Sequence, residues 1–195
     1  MLNFILLIIA AYLSGSVSFG HLIARYKNVD IMKIGSKSPT STNVARALGW
    51  KWGALSAILD FSKGFVPTLA AVNILSNPWQ IILVAILPTV GHIFPIFFNF
   101  QGGKGGAAFL GACLGLIGVK LFALAFLVWL LIFALTRMTS VTNLVFPWLF
   151  SAFLYFYFPQ YLAFGIIEAV IINFALRKNV KRLIQGEENK TPLKI

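Results

Sequence analysis

One stretch of the sequence, from Gly91 to Gly111, reads GHIFPIFFNFQGGKGGAAFLG and interrupts two strongly apolar segments. Its centre, residues 102–106, places four glycines around Lys104, although each glycine in a helix interior costs about 1 kcal/mol relative to alanine. Glycine permits close approach of the backbone to a ligand, and a helix that begins at Ala107 would add its positive end. The stretch therefore predicts either a phosphate-binding loop at the membrane surface or a flexible turn whose lysine is only a topology signal.

The composition predicts a polytopic membrane protein. Of its 195 residues, 59% are hydrophobic and 11% are charged, whereas soluble domains carry about 25% charged residues. Positive cytoplasmic loops and anionic lipid headgroups explain the net charge of +11, so we expect no nucleic-acid partner. The chain has one cysteine, Cys113, and two distant histidines. We therefore expect no disulfide, no metal and no cofactor.

Hydropathy divides the chain into seven apolar spans. We place them at residues 2–24, 53–75, 79–100, 107–118, 121–136, 141–158 and 161–176. Residues 107–136 could also form one tilted helix, but Gly115, Gly118 and Lys120 favour two short spans. An outside N-terminus and an inside C-terminus place every Lys and Arg except Lys63 and Lys120 on the cytoplasmic side. The prediction is an all-α polytopic membrane protein of about seven transmembrane helices, a single domain over residues 1–195.

A polar segment connects the first two spans. Its middle, residues 35–43, reads GSKSPTSTN, and Arg46 follows three residues later. Thr42 or Asn43 would be an ordinary N-cap for a short helix that carries Arg46. The same hydroxyl, amide and guanidinium groups could equally bind a phosphate or a polyol.

Further polar residues interrupt the apolar spans. The small residues of the first span, Ser14 to Ser16 and Ser18 to Gly20, indicate either close helix contact or a dip that lines a site. Asp60 and Lys63 lie three positions apart in the second span and so face one side of a helix. Charged residues in a membrane are costly unless paired or wetted, so this pair is either a structural ion pair or a substrate contact.

The predicted topology brings the polar clusters to one face. The segment 35–46, the glycine–lysine loop, residues 139–140 and the basic segment 177–182 would all meet at the cytoplasmic surface. This convergence favours one anion-binding site over several unrelated loops.

Several short motifs occur along nearly the whole chain. They are Gly15-Ser16…Phe19-Gly20, Gly35-Ser36…Thr42-Asn43-Val44…Arg46, Leu59-Asp60…Lys63-Gly64-Phe65, Gly91-His92…Phe94-Pro95…Phe100…Gly102-Gly103-Lys104-Gly105, Ser140 and Asn179…Arg182-Leu183…Gly186…Glu188. In this order and spacing they resemble the bacterial membrane-integral acyl-phosphate:glycerol-3-phosphate acyltransferase family (PlsY).

The resemblance implies a reaction, a location and a set of site residues. A fatty acyl group would move from acyl phosphate to the 1-hydroxyl of glycerol 3-phosphate, giving lysophosphatidic acid and phosphate. The enzyme would lie in the bacterial cytoplasmic membrane among lipids, with its active site facing the cytoplasm and a functional link to the enzyme that forms acyl phosphate. The implied catalytic residues are Lys104, Arg46 and Ser36. The implied substrate-binding residues are Thr42, Asn43, Gly102, Gly103, Gly105, Ser140 and Asn179.

The chain departs from the family pattern within the motifs themselves. In the first loop, family Gly, Asn, Gly and Ala are replaced by Lys37, Ser38, Thr40 and Ser41. Gly106 to Ala108 replace Val-Ala-Thr, and Leu176 stands where the family has a histidine. Because of these changes, the alternative that the chain is a catalytically weak, lipid-binding paralogue of the same fold stays open.

The residue types favour direct acyl transfer. Neither histidine begins an H-x-x-x-x-D motif, which argues against a His/Asp-dependent acyltransferase, and no covalent Ser–His pair is evident. We expect the glycerol hydroxyl to attack directly, with a substrate phosphate oxygen as proton acceptor. The alternative is a small anion transporter lined by Asp60, Lys63 and Glu168. That alternative predicts an internal repeat and polar residues across the bilayer, and the sequence shows no repeat and no polar residues on the outer half beyond Lys120.

Overall fold

The computed structural model describes residues 1–191, and within that range the chain forms α-helices and short 3₁₀ helices with no strand. The α-helices are α1 (Leu2–Ser16), α2 (Phe19–Tyr26), α3 (Ser41–Leu48), α4 (Trp50–Ile74), α5 (Pro78–Ile93), α6 (Gly106–Thr136), α7 (Thr139–Tyr157), α8 (Leu162–Ala175) and α9 (Arg177–Ile184). The 3₁₀ helices are Ile31–Lys33, Ile96–Phe98 and Pro159–Tyr161. The predicted all-α fold class is confirmed.

Several of these elements are long and apolar enough to cross a membrane. Among the described residues there are five such helical segments, or six if the pair bent by 63° at the α8–α9 junction counts as one span. The five are Leu2–Tyr26, Trp50–Ile74, Pro78–Phe98, Gly106–Thr136 and Thr139–Tyr157. The chain is therefore a multi-pass membrane protein. This count is lower than the predicted seven mainly because α6 contains two of the predicted spans, 107–118 and 121–136, in one helical element.

Helix α6 folds back on itself at Gly118, whose φ of 73° and ψ of 169° are not helical. A Cβ on Gly106 would lie 2.5 Å from Nδ2 of Asn143, and Nε1 of Trp129 donates to Oδ1 of the same Asn143 at 3.2 Å. A straight helix would separate positions 106 and 129 by about 35 Å. Both ends of α6 consequently lie near the start of α7, and its two halves run in opposite directions.

The first apolar segment is broken between α1 and α2. Val17 and Ser18 are extended, with ψ of 104° and 93°. A Cβ on Gly15 would lie 2.5 Å from the backbone oxygen of Pro88, so the small residue allows α1 to approach α5 closely. This geometry favours the helix-contact interpretation of the small residues of the first span.

An aromatic cluster fixes the first half of α6 in the bundle. The buried Phe109 ring lies 6.1 Å from Phe146 and 5.8 Å from Phe150 of α7, and 5.9 Å from Phe164 of α8, measured between centroids. On the opposite side, α6 approaches α4 so closely that a Cβ on Gly64 would overlap the backbone oxygen of Ala108. This packing sets the position of the glycine–lysine loop at the start of α6.

Candidate active site

A small polar cavity of about 80 Å³ lies where the starts of α6 and α7 meet the first polar loop and the C-terminal segment. Seven of the ten predicted site residues line it: Ser36, Thr42, Arg46, Lys104, Gly105, Ser140 and Asn179. The structure thus brings together residues that are separated by more than half of the chain.

A larger basic cleft of about 500 Å³ adjoins the small cavity and shares Ser36, Ser38 and Lys104 with it. Five cations line this basic cleft: Lys37, Lys104, Arg177, Lys178 and Arg182. Its apolar lining includes Met32, Ile93, Phe94 and Phe100. Gly102 and Gly103 line this basic cleft and not the small cavity.

The first polar loop is closed by a helix cap at Thr40. Helix α3 begins at Ser41, and the Thr40 hydroxyl accepts from the Asn43 amide at 3.4 Å. The predicted cap at Thr42 or Asn43 is therefore wrong, because the helix begins earlier than the sequence suggested. Thr42 instead lies in the first turn, where its hydroxyl is 3.4 Å from that of Thr139 and links α3 to α7.

Asn43 is fully buried, and its side chain holds the first polar loop together through hydrogen bonds. Its Nδ2 donates at 2.9–3.3 Å to three backbone oxygens, those of Ile31, Ile34 and Ser38. Its Oδ1 accepts from the Ser36 amide and from Nη1 of Arg46, both at 3.1 Å. Asn43 lines neither the small cavity nor the basic cleft. Asn43 therefore ties the Ser36 backbone and the Arg46 side chain to the same oxygen.

The glycine–lysine loop packs against the end of α5. The Gly103 amide donates to the backbone oxygen of His92 at 2.9 Å, and a Cβ on Gly102 would overlap the same oxygen. Gly105 has a φ of 82° and precedes the first turn of α6, where Gly106 and Ala107 also line the small cavity. The N-terminus of α6 therefore lies at the small cavity, a favourable location for an anion.

Lys104 lies between the small cavity and the basic cleft. Its Nζ donates to the backbone oxygen of Ala175 at 2.9 Å, at the C-terminal end of α8, where a cation is favoured. Burial is the main factor that lowers the pKa of Lys104 to about 8. Neighbouring positive charges act in the same direction, those of Arg182, Lys178 and Arg177, and Glu188 opposes them. A bound phosphate would stabilise the charged form of this lysine.

This pKa predicts a basic limb in the pH dependence of the reaction. Lys104 is charged below about pH 8 and loses its proton as the pH rises through that value. We therefore expect kcat/KM, which reports ionisations of the free enzyme, to fall about tenfold per pH unit well above pH 8. A Lys104→Arg variant, whose guanidinium stays charged, should lack this limb even if its activity is lower. A profile of Lys104→Arg identical to that of the unchanged protein would contradict the assignment.

Two predicted residues carry buried polar atoms that have no hydrogen-bond partner within residues 1–191. The Ser140 hydroxyl makes no hydrogen bond within residues 1–191, and neither does Oδ1 of Asn179. Nδ2 of Asn179 donates to Oε1 of Glu188 at 2.7 Å, and Oε2 of Glu188 accepts from Nε of Arg182 at 2.8 Å. Buried polar groups in native proteins nearly always have a partner. The two orphan atoms therefore point to a polar ligand in the small cavity.

The predicted set of site residues omits three features of the site, although the sequence had suggested Asp60 as a possible substrate contact and residues 139–140 as part of the polar face. Asp60 and His92 line the small cavity, where they meet Lys63 in one cluster. Glu188 and Asn189 line it from the C-terminal segment, which is held by a hydrogen bond from the Thr191 amide to the Arg137 backbone oxygen at 2.8 Å. Asn143 and Thr139 complete the α7 side. The Asp60–Lys63 spacing and the family motif containing Glu188 were visible signals.

The remaining positions of interest lie in or near this site. Leu176, which replaces the family histidine, is buried and lines the small cavity. Glu168 is fully buried in α8 and lies outside both the small cavity and the basic cleft. Within residues 1–191, no group of three or more His, Cys, Asp or Glu side chains is placed to hold a metal ion.

The fold and the site define a multi-pass membrane protein with a polar cavity lined by cations, a helix N-terminus and buried polar groups that have no partner within residues 1–191. Residues 5–186 match the family model described as glycerol-3-phosphate acyltransferase. The chain belongs to this family.

Individual relatives agree along nearly their whole length. The glycerol-3-phosphate acyltransferase of Aquifex aeolicus (strain VF5) is 40% identical over 190 residues, covering 94% of this chain and 97% of that protein. The corresponding protein of Colwellia psychrerythraea is 36% identical and covers 97% and 96%. The crystal structure of PlsY (YgiH), an integral membrane glycerol 3-phosphate acyltransferase, has a TM-score of 0.92 in its glycerol 3-phosphate form, with 36% identity and coverage of 97% and 96%. Its lysophosphatidic acid form has a TM-score of 0.89, with 37% identity and coverage of 96% and 95%.

Proposed function

We propose that this chain transfers a fatty acyl group from acyl phosphate to the 1-hydroxyl of glycerol 3-phosphate, giving lysophosphatidic acid and inorganic phosphate. The observation that carries the proposal is the position of Lys104 between the small polar cavity and the larger basic cleft. Two phosphorylated substrates have to meet in one site, and a lysine shared by two adjoining pockets can contact both. The names of the relatives and the two ligand forms of PlsY support the same reaction.

The small cavity suits glycerol 3-phosphate. Arg46 offers two parallel N–H donors, Lys104 offers a point charge, and the α6 N-terminus adds backbone donors for the phosphate. The orphan Ser140 hydroxyl and Asn179 oxygen are suited to the glycerol hydroxyls. Every group in this set is polar, and the cavity has no apolar wall long enough for a fatty chain.

The basic cleft suits the acyl phosphate. Its cations would bind the phosphate head, and the exposed side chains of Phe94 and Phe100 mark where the acyl chain could pass into the lipid. Each CH₂ group that leaves water contributes about 0.8 kcal/mol. The surrounding membrane therefore supplies most of the affinity for the chain, and the protein orients the head.

The reaction follows from this placement as a direct displacement. The oxygen of the glycerol 1-hydroxyl attacks the acyl carbonyl carbon, the bond from that carbon to the phosphate oxygen breaks, and the phosphate leaves with the electron pair. An oxygen of a substrate phosphate takes the hydroxyl proton. Lys104, which lines both pockets, stabilises the negative charge that develops on the leaving group, and Arg46 holds the phosphate of glycerol 3-phosphate. Ser36 lines both the small cavity and the basic cleft, and its hydroxyl oxygen lies 3.2 Å from that of Ser38. From this position it can orient the reacting oxygen.

The donor choice tests this function. We expect purified protein to release phosphate and form lysophosphatidic acid from acyl phosphate plus glycerol 3-phosphate, in preference to acyl-CoA. The reason is that the cations of the basic cleft are suited to a phosphate leaving group. Turnover with acyl-CoA and none with acyl phosphate would overturn the donor assignment. Absence of turnover with either would favour a lipid-binding paralogue.

For the membrane arrangement, we propose seven crossings in a single domain over residues 1–195, with the N-terminus outside and the C-terminus inside. The reversal at Gly118 supports two short crossings within α6. The proposed location is the bacterial cytoplasmic membrane, with the site on the cytoplasmic face. There it could receive acyl phosphate from the enzyme that forms it.

Labelling of engineered cysteines tests this topology. Lys37 and Lys190 are exposed beside the site, and Lys120 is exposed near the reversal of α6. On intact cells an impermeant maleimide should label Lys120→Cys and leave Lys37→Cys and Lys190→Cys unmodified. The unchanged protein, in which Cys113 is buried, gives the background level of labelling. Labelling of position 37 or 190 without permeabilisation would contradict the orientation.

A further inference from the structure

His92 lies at the floor of the small cavity, at the end of α5, and contacts a buried ion pair. Nζ of Lys63 is 2.8 Å from Oδ1 of Asp60 and 3.0 Å from Nδ1 of His92. The same Nζ donates to the backbone oxygens of Val17 at 2.9 Å and Gly15 at 3.2 Å, which are freed by the break between α1 and α2. All three side chains of this cluster are buried.

The contacts of Lys63 determine which nitrogen of His92 carries the proton. An ammonium group only donates hydrogen bonds, so the Nδ1 that faces it has to be an acceptor without a proton. The neutral imidazole then carries its proton on Nε2. Oδ1 of Asp60, which lies 3.5 Å from Nδ1, forms an ion pair with the same ammonium. The ion pair therefore fixes one tautomer and one ring orientation.

The Nε2–H group is directed at the glycine–lysine loop and has no partner in the described part of the chain. A Cβ on Gly103 would overlap Nε2, so only glycine fits beside this edge of the ring. His92 is among the residues that line the small cavity, and residues 1–191 provide no acceptor for Nε2. A ring nitrogen of a cavity-lining residue that has no protein partner is suited to donate to a ligand in that cavity.

We propose that His92 donates its Nε2–H to an oxygen of glycerol 3-phosphate, and that Lys63 and Asp60 are positioning residues that hold the ring for this contact. The proposal rests on the placement of glycerol 3-phosphate in the small cavity. It adds a neutral donor to a site whose cationic donors are Lys104 and Arg46.

Two substitutions separate the donor from the packing of the ring. In His92→Asn the side-chain oxygen can occupy the position of Nδ1 and accept from Lys63, but no donor reaches the position of Nε2. In His92→Gln the amide nitrogen can reach the position of Nε2, and the acceptor for Lys63 is lost. We expect His92→Asn to raise the KM for glycerol 3-phosphate and lower kcat/KM for it about tenfold to a hundredfold. The KM for acyl phosphate should change little.

Matched variants define the outcomes. His92→Gln should keep most of the activity, and His21→Asn should be unaffected, because His21 lies outside the small cavity and stacks on Phe98 with centroids 4.9 Å apart. Retention of activity in both His92 variants, or equal loss in both, would overturn the proposal. If Lys104→Ala and Arg46→Ala lose activity while His92→Asn does not, only this inference fails. If those two variants keep activity, the proposed site itself is wrong.

A spectroscopic test leaves His92 and its neighbours unchanged. The chain has two histidines, so ¹⁵N-histidine labelling gives two rings, and His21→Asn assigns them. We expect His92 to show an unprotonated Nδ1 and a protonated Nε2, with the Nε2 signal shifting when glycerol 3-phosphate is added. A protonated Nδ1, or an Nε2 signal that does not respond to saturating glycerol 3-phosphate, would contradict the assignment.

Discussion

Replacing Lys104 by alanine is expected to lower kcat/KM by about one to two orders of magnitude per folded protein. Lys104 lines both the small cavity and the basic cleft, so its charge can act on the phosphates of both substrates. Hydrogen bonds to charged groups contribute about 1.5–3 kcal/mol, and each 1.36 kcal/mol corresponds to about tenfold in rate. Initial rates of phosphate release from acyl phosphate, normalised to correctly folded protein, measure this effect.

Arg46→Ala should cause a loss of similar size, because it removes a two-pronged donor that Asn43 orients at 3.1 Å. The double variant should lose less than the product of the two single losses, since both groups act on the same small anions. Lys104→Arg should recover only part of the activity, because a guanidinium is bulkier than an ammonium beside the tightly packed glycines of the loop. Near-normal activity in both alanine variants would place the anion site elsewhere.

If Lys104 were only a topology signal, its variants would behave differently. Arginine would then substitute freely, and alanine would reduce the yield of inserted protein without changing activity per molecule. Lys120, which is exposed near the reversal of α6 and far from the site, provides the matched control. Lys120→Ala should leave kcat/KM unchanged.

Breaking the buried ion pair is expected to produce the largest loss of stability. Lys63 and Asp60 are 3% and 1% exposed and lie 2.8 Å apart, so Lys63→Met leaves a carboxylate and two backbone oxygens without their donor. Removing one partner of a buried pair typically costs about 3–5 kcal/mol in the free energy of unfolding. Thermal unfolding of the purified protein in detergent, followed by intrinsic fluorescence, would show the shift.

The double variant distinguishes a paired charge from simple packing. Asp60→Asn combined with Lys63→Met removes both charges, and we expect it to be more stable than Lys63→Met alone. The exposed pair Lys33–Asp30, also at spacing i, i+3, is the control: its side chains are 83% and 53% exposed, and Lys33→Met should change stability little. A double variant that is less stable than Lys63→Met would contradict the ion-pair explanation.

The sequence determined the class of protein and most of the loop residues at the site. Apolar spans separated by basic loops are visible in the sequence, so the all-α membrane fold could be predicted without tertiary contacts. Lys104, Arg46 and Ser140 were also predictable, because a chain that crosses a membrane repeatedly returns its loops to one of two surfaces. Gly118 and Lys120 likewise indicated a reversal between the spans 107–118 and 121–136.

Only the tertiary structure decided what each of these groups contacts. The Gly103 amide bonds to His92, and Asn43 lines neither pocket, because the way the loops pack selects the hydrogen-bond partners. The helix cap at Thr40 depended on where α3 begins, which the small polar residues of the loop left undefined. His92 joins Lys63 across 29 positions of sequence. Spacing within one helix showed that Asp60 and Lys63 share a face, but a partner on another helix is set by long-range packing, which no local pattern encodes.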